Sequence, residues 1–288
     1  MSELEIICSI DKLESSFSDW KSSSETPSIK FGVTIEDVLF PVFLHISDAH
    51  SERLTVLYNG AVSRERCEDG IVFQRSSWKD EIPSSIVSFA DPTLVLHDGM
   101  SIGWGQVDGQ LFAPEQYKKI LDRLRDALKL PSRFETLHYG SSAGGFQALA
   151  TAGFDRGSRV LCNNPQTDFS KYSVAWATNR ALKVNGFANR AEYLESDVYS
   201  DFAWRVEIHK LYQKLEYIPD NIRLLINAAS ENDLVAQAGS FVAGITEIST
   251  KQSTNGYEVY YYFHPSLGHN PLPKPQTINE LIAELEQL

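Results

Sequence analysis

The stretch Leu137-His138-Tyr139-Gly140-Ser141-Ser142-Ala143-Gly144-Gly145-Phe146 decides how the rest of the chain is read. An apolar, aromatic segment enters a Gly/Ser turn and leaves it as an alanine-rich segment, the pattern of strand, sharp turn and helix. Within it Gly140-Ser141-Ser142-Ala143-Gly144 matches G-x-S-x-G, the turn that lifts a nucleophilic serine clear of a sheet. Such a turn holds the serine in strained backbone geometry, and its glycines keep Cβ atoms away where strand and helix nearly touch. The following helix directs free N–H groups at the serine, so the Ala143 N–H is the expected first donor to an oxyanion. Ser142 is the candidate nucleophile; Ser141 in that role would misplace the glycines and reads as a turn residue. A bare pentapeptide also fits a Gly/Ser loop opening a helix, so the surrounding pattern has to decide.

Working outward, residues 114–128 carry an apolar face (Tyr117, Ile120, Leu121, Leu124, Leu128) with charges opposite, and Pro114 suits a first helical position. Residues 134–139 then form a strand into the turn, 144–152 a helix ending at Gly153, and 158–162 a short buried strand. Further on come a strand at 222–228, a helix at 234–250, a strand at 257–263 and a helix at 276–288. Strand and helix alternating in this way predict an α/β fold, a mostly parallel central sheet flanked by helices. Upstream, residues 40–46 and 54–58 read as a hairpin around the polar turn 47–52. Segments 85–90 and 93–96 read as strands, while 6–8 reads as a short strand and 15–27 as a Ser-rich loop. Residues 165–220 interrupt the rhythm with aromatic, helical sequence and read as a helical cap inserted into a single domain spanning 1–288.

A serine hydroxyl needs a base, and the base an orienting acid. With this elbow the acid should follow a later strand and a histidine should follow the last one. Asp233 follows the 222–228 strand, with Glu231 as a near alternative and Asp168 as a more distant one. His269, beside Gly268, follows the last strand; His264, before Pro265, reads as structural. The loop His97-Asp98-Gly99-Met100, after the expected strand 93–96, offers the Gly99 and Met100 backbone N–H groups as second oxyanion donors.

Net charge of −12 excludes broad nucleic-acid or anionic-membrane binding, which needs a basic face. No apolar run approaches spanning length, so no membrane insertion is expected. The opening residues 1–13 lack a basic region followed by an apolar run, so no signal peptide is expected and the compartment reads as cytoplasmic. Three separated cysteines without C-x-x-C give no disulfide framework or thiolate zinc site. His45, Asp48 and His50 read as a polar turn, because three ligands from one short turn rarely converge; no metal is expected.

Taken together, the elbow, Asn232-Asp233 and Gly268-His269 resemble the α/β-hydrolase superfamily, from about residue 54 to the C-terminus. More narrowly, Asp91-Pro92-Thr93-Leu94, Gly103-Trp104, the elbow and Asn164-Pro165-Gln166 are similar to a branch found beside capsule and cell-surface polysaccharide genes. That branch includes polysaccharide O-acetyltransferases and hydrolase-like accessory proteins of glycoprotein export. The chain departs from the lipase pattern, reading His97-Asp98-Gly99-Met100 where a lipase has HGGG. The resemblance implies a serine-dependent acyl-transfer enzyme, an esterase or an O-acetyltransferase, acting on a small-molecule or polysaccharide substrate. It requires no cofactor; acetyl-CoA is a candidate acyl donor, and a homo-oligomer is compatible with it. Arg64, Arg66, Arg75 and Lys79 could meet the donor's phosphates, but read better as a solvated charged face. The competing readings are a non-catalytic binding or export-accessory protein on the same fold, and a peptidase of that fold.

Overall fold

The computed structural model describes residues 4–23, 27–249 and 257–288. In chain order the strands are β1 (Ile6–Ser9), β2 (Ser28–Ile35), β3 (Val38–His45), β4 (Leu54–Tyr58), β5 (Ser85–Phe89), β6 (Thr136–Ser141), β7 (Arg159–Asn163), β8 (Ile222–Asn227) and β9 (Tyr257–Tyr262). The helices are α1 (Leu13–Ser23), α2 (Pro92–Leu96), α3 (Ala113–Leu128), α4 (Ala143–Phe154), α5 (Ala175–Val184), α6 (Arg190–Glu195), α7 (Tyr199–Phe202), α8 (Ile208–Leu215), α9 (Ser240–Ser249) and α10 (Lys274–Leu285). Among the described residues one sheet holds all these strands in the order β1-β2-β3-β5-β4-β6-β7-β8-β9. From β5 across to β9 every neighbouring pair is parallel, and β3 runs antiparallel to both β2 and β5.

Strands β4, β5 and β6 are buried at every position, their polar side chains Thr55, Ser85, Ser88, Thr136 and His138 included. Alternation along β6 divides its side chains between two helical layers. Leu137 and Tyr139 pack with Leu57, Leu161, Leu225 and the α10 residues Ile278, Leu281 and Leu285. His138 faces the other layer, where α3 places Tyr117, Ile120, Leu121 and Leu124. Helix α4 is buried from Ala143 to Gly153; it is apolar there except for Gln147 and Thr151, whose side chains donate to Asn59 O and Gln147 O.

A buried polar chain lies beneath the elbow on the α3 side. Tyr58 Oη donates to His138 Nδ1 (2.8 Å), and His138 Nε2–H donates to Asp155 Oδ2 (3.2 Å). Arg125 then closes a two-pronged ion pair on Asp155, at 2.8 and 2.7 Å. Burial pushes the His138 pKa down, and Asp155, whose carboxylate can only accept, places the ring proton on Nε2. Asp155 is held well below the usual carboxylate range: its hydrogen bonds to His138 and Arg125, with the Arg125 charge, outweigh the upward push of burial.

Three expectations are corrected. Strands β3 and β4 do not pair: β5 lies between them, and the 47–53 connection carries the chain across the sheet. The hairpin is β2–β3, closed by Glu36 and Asp37, both left-handed at φ 49° and 63°, a two-residue turn without the usual Asn-Gly signature. Residues 93–96 are not a strand but lie in α2, because Asp91 caps the Thr93 N–H (2.9 Å) and Pro92 starts the helix. The Ser-rich region at 15–27 contains most of α1, whose Leu13 and Phe17 are fully buried; its residues 24–26 lie outside the described residues.

The expected helix at 234–250 begins as a π-helical segment, Asn232–Gly239, and continues as α9; residue 250 lies outside the described residues. Part of the 165–220 insertion belongs to the ordinary helical layer. Tyr212 of α8 donates to Leu149 O (2.9 Å), and Gly153 lets α8 approach, since a Cβ there would sit 3.0 Å from the Tyr212 ring. Among the described residues, no helix is long and apolar enough to cross a membrane.

Candidate active site

The elbow forms as its residue types demand. Ser142 has φ 54° and ψ −125°, outside the ordinary helical and extended regions, and α4 starts at the next residue. A Cβ at Gly140 would lie 2.1 Å from the Gly144 carbonyl oxygen, and one at Gly145 would lie 2.7 Å from Pro165 Cβ. Strand and helix can therefore turn this tightly only with glycine at those places. The Ser142 N–H is anchored to the carbonyls of Asn163 and Asn164, at 3.3 and 3.2 Å.

Three of the predicted side chains come together. Ser142 Oγ donates to His269 Nε2 at 2.8 Å, and His269 Nδ1–H donates to Asp233 Oδ1 and Oδ2 at 2.8 and 2.9 Å. The Asp233 side chain is 1% exposed and that of His269 36%, so the acid is shielded while the base faces solvent. Asp233 stands in the first turn of the π-helical segment, a wide turn frequent at functional sites. Gln237 of the same segment clamps it to the 167–168 backbone, accepting from the Asp168 N–H (3.0 Å) and from the Thr167 hydroxyl through its carbonyl (2.8 Å).

The other candidates do different work. Glu231 precedes the π-helical segment and is exposed. Asp168 accepts from the Ser170 N–H and hydroxyl and pairs with Lys171. His264 is exposed and bonds Ser266 Oγ (3.1 Å). His45 is buried and bonds Ser28 Oγ (2.9 Å). Among the described residues no group of three His, Cys, Asp or Glu side chains is placed to hold a metal ion.

No protein-family model and no curated protein sequence matches the chain. Solved structures do. A mutant of the capsule O-acetyltransferase of Neisseria meningitidis serogroup A, in complex with CoA, superposes at TM-score 0.59 and 12% identity, over 90% of this chain and 92% of that one. Carboxyl esterase 2 of the fungus Tuber melanosporum gives TM-score 0.56 and 9% identity, over 96% and 98%. Dipeptidyl peptidase 4 of Porphyromonas gingivalis gives 0.57 and 10%, over 94% of this chain but 37% of that one. The chain has the α/β-hydrolase fold.

In the α/β-hydrolase fold one oxyanion donor follows the nucleophile, and the other comes from the loop after the strand beside the elbow strand. That strand is β4, and its loop is Asn59-Gly60-Ala61, wedged against the first turn of α4. A Cβ on Gly144 would lie 2.6 Å from Tyr58 O, and one on Gly60 would lie 3.3 Å from Ser141 O. The N–H groups of Ala143 and Ala61 have no protein acceptor among the described residues. Gly99 and Met100, expected from the sequence as donors, are engaged elsewhere. The Met100 N–H is bonded to His97 O (3.2 Å), and Gly99 lies against Arg180, which donates to its carbonyl (2.9 Å). The loop that carries them follows a helix rather than a sheet strand. The missed signal was Asn59-Gly60 directly after the wholly buried strand β4.

Three asparagines at strand ends, to which the sequence assigned no such role, hold the histidine loop. Asn227 donates to His264 O (2.9 Å) and Gly268 O (2.8 Å). Asn164, left-handed at φ 45°, donates to His269 O (3.1 Å) and accepts from the Asn227 N–H (2.8 Å). Asn163 accepts from the Leu272 N–H (2.6 Å). The strings around Asp91, Gly103-Trp104 and Asn164-Pro165-Gln166 form one packed unit behind the elbow. Asp91 accepts from the Gly105 N–H (2.9 Å), Gly103 abuts Thr93, and Trp104 Nε1 donates to Gln166 Oε1 (2.6 Å). The Gln166 N–H in turn reaches Ser142 O (3.1 Å).

Proposed function

We propose that this protein is a serine-dependent acyl-transfer enzyme working through Ser142, His269 and Asp233. The observation that carries this is the unbroken hydrogen-bond chain from Ser142 Oγ through His269 to a shielded Asp233. His269 Nε2 takes the Ser142 proton as Oγ attacks the carbonyl carbon of an ester or thioester. The resulting oxyanion accepts from the N–H groups of Ala143 and Ala61. As the tetrahedral species collapses, His269 returns the proton to the leaving alcohol or thiol, and an acyl-Ser142 remains. Water or a second hydroxyl then gives its proton to His269 and attacks the acyl carbon; as this second tetrahedral species collapses, His269 returns the proton to Ser142 Oγ, which leaves as the free hydroxyl. Asp233 holds the ring in the productive tautomer and stabilises the imidazolium.

Within this chemistry we assign the transfer of an acetyl group from acetyl-CoA to a hydroxyl of a carbohydrate or cell-surface polysaccharide, with simple ester hydrolysis as the same cycle ended by water. The CoA-bound neighbour supports a thioester donor. So does a cavity of about 430 Å³ beside Ala61, which Lys30, Arg66, Val72 and Phe73 help to line. Of the other basic groups in that part of the sequence, Arg64 is engaged with the carbonyls of Leu94, His97 and Met100, Arg75 with Ser141 Oγ, and Lys79 with Asp80. Arg66 and Lys30 are left to face an anionic donor. Helices α5–α7 are the cap of a single domain in this proposal, supported by Tyr172, at the start of the insertion, whose ring centre lies 6.2 Å from that of His269.

The test is labelling by a fluorophosphonate probe of the wild type, Ser142→Ala and His269→Ala, followed by acetyl release from acetyl-CoA with and without a polysaccharide acceptor. Labelling abolished by both substitutions is the expected result. A folded wild type that stays unlabelled would overturn the acyl-enzyme. Acetyl release that no acceptor accelerates would reduce the proposal to an esterase.

A further inference from the structure

We propose that Gln74 and Arg75 form a positioning clamp that fixes the two halves of the oxyanion hole relative to each other. The inference rests on the acyl-enzyme proposal and assigns residues to it that no strand or motif marks. Gln74 Oε1 accepts from the Gly60 N–H (3.0 Å), and Gln74 Nε2 donates to Ala61 O (2.8 Å). These two bonds grip the chain on either side of the Gly60–Ala61 peptide, whose N–H is the second donor. Asn59 Nδ2 adds a third hold, donating to Gly60 O (3.3 Å), the oxygen opposite that N–H in the peptide plane. Glycine at 60 would otherwise leave this peptide free to rotate.

The neighbouring residue grips the other half. Arg75 Nη2 donates to Ser141 Oγ at 2.6 Å, one residue before the nucleophile and two before the Ala143 donor. Its guanidinium lies 5.5 Å from the Trp78 ring centre and 5.3 Å from that of Tyr139, so it is held on two aromatic neighbours. Its other amino group, Nη1, is buried with no hydrogen-bond partner among the described residues. The segment is itself braced: Ser76 Oγ and N–H bond Phe73 O (2.9 and 3.3 Å), the Trp78 N–H bonds Arg75 O (2.9 Å), and the Phe73 ring packs on Phe43 of β3. One dipeptide on one braced turn thus ties the β4 loop to the elbow. Two donors from separate loops must meet a single oxygen, so their relative position is what a clamp of this kind controls.

The test uses the full chain and p-nitrophenyl acetate, with a trifluoromethyl ketone that forms a tetrahedral oxyanion on Ser142. Gln74→Ala is expected to lower kcat about 100-fold with KM within threefold, and to weaken the ketone by the factor lost in kcat/KM. Gln74→Glu, of the same shape, retains an acceptor for Gly60 but cannot donate to Ala61 O; it should show the same split, and it serves if the alanine variant does not fold. Arg75→Lys, which keeps a donor for Ser141, should recover most of what Arg75→Ala loses. Folded Gln74 variants with kcat within threefold of wild type, or with lowered kcat but unchanged ketone affinity, would overturn the clamp. A wild type that turns over no ester and is not labelled by the fluorophosphonate would overturn the acyl-enzyme and the clamp together. A labelled, active wild type with indifferent Gln74 variants would overturn the clamp alone.

Discussion

Gly144→Ala tests whether the contact between the β4 loop and α4 sets the geometry of the oxyanion hole. The new Cβ would stand 2.6 Å from Tyr58 O and 3.1 Å from Asn59 C, both backbone atoms, so no rotamer can relieve it. Ordinary contact begins near 3.4 Å, and the end of β4 and the first turn of α4 must therefore separate by roughly 0.8 Å. Alanine inside a helix otherwise gains up to about 1 kcal/mol over glycine, whereas overpacking of this kind costs about 1–3 kcal/mol. The net effect on stability should be a loss of about 0–3 kcal/mol, small enough to leave the protein folded. Catalysis should suffer more. A displacement approaching 1 Å between the Ala61 and Ala143 donors should lower kcat about 100-fold with little change in KM. Steady-state hydrolysis of p-nitrophenyl acetate, paired with urea unfolding, separates the two effects. Gly109→Ala, where a Cβ meets nothing within 4 Å, is the control and should stay within threefold of wild type. A folded Gly144→Ala enzyme with kcat also within threefold would refute the reasoning.

Asn227→Ala removes the two side-chain bonds to the His264 and Gly268 carbonyls. It should lower kcat about 100-fold while costing about 1–3 kcal/mol of stability, read by the same pair of assays. Arg125→Ala removes the two-pronged partner of the fully buried Asp155 and leaves it only the His138 contact; a loss of about 3–5 kcal/mol is expected in urea unfolding. The depressed pKa of His138 means that, below the ordinary histidine value of 6.5, the unfolded chain binds a proton that the folded protein refuses. Wild-type stability should therefore fall relative to His138→Gln as pH drops through about 6.5. Only that difference isolates His138, since burial raises the carboxyl pKa values of Asp91 and Glu207, which push stability the opposite way. Parallel pH profiles for the two proteins would contradict it.

The local features were legible because they are written in contiguous residues. Gly140, Ser142 and Gly144 specify the elbow through close approach within ten residues, and the apolar face of α3 specifies its burial. Strand, acid and histidine recur in an order that the parallel sheet imposes, so Ser142, Asp233 and His269 could be named before their separation was known. The misreadings have a common source. Asp91-Pro92 is a capped helix start, but the apolar run behind it looks like a strand. Nothing local distinguishes a strand that pairs with its sequence neighbour from one that crosses the sheet, as β4 does.

From the sequence alone came the α/β character, the serine turn and the candidates for base and acid, each set by side-chain type and short-range spacing. The tertiary structure alone decided that Asp233 rather than Glu231 faces His269. It also decided that the β4 loop, not Gly99 and Met100, lies against the elbow, and that Asn163, Asn164, Asn227, Gln74 and Arg75 hold the parts in register. The reason is physical: these contacts join residues that lie more than ten positions apart and meet at the C-terminal ends of parallel strands. Their partners are mostly backbone N–H and C=O groups, which every residue carries and no sequence pattern marks.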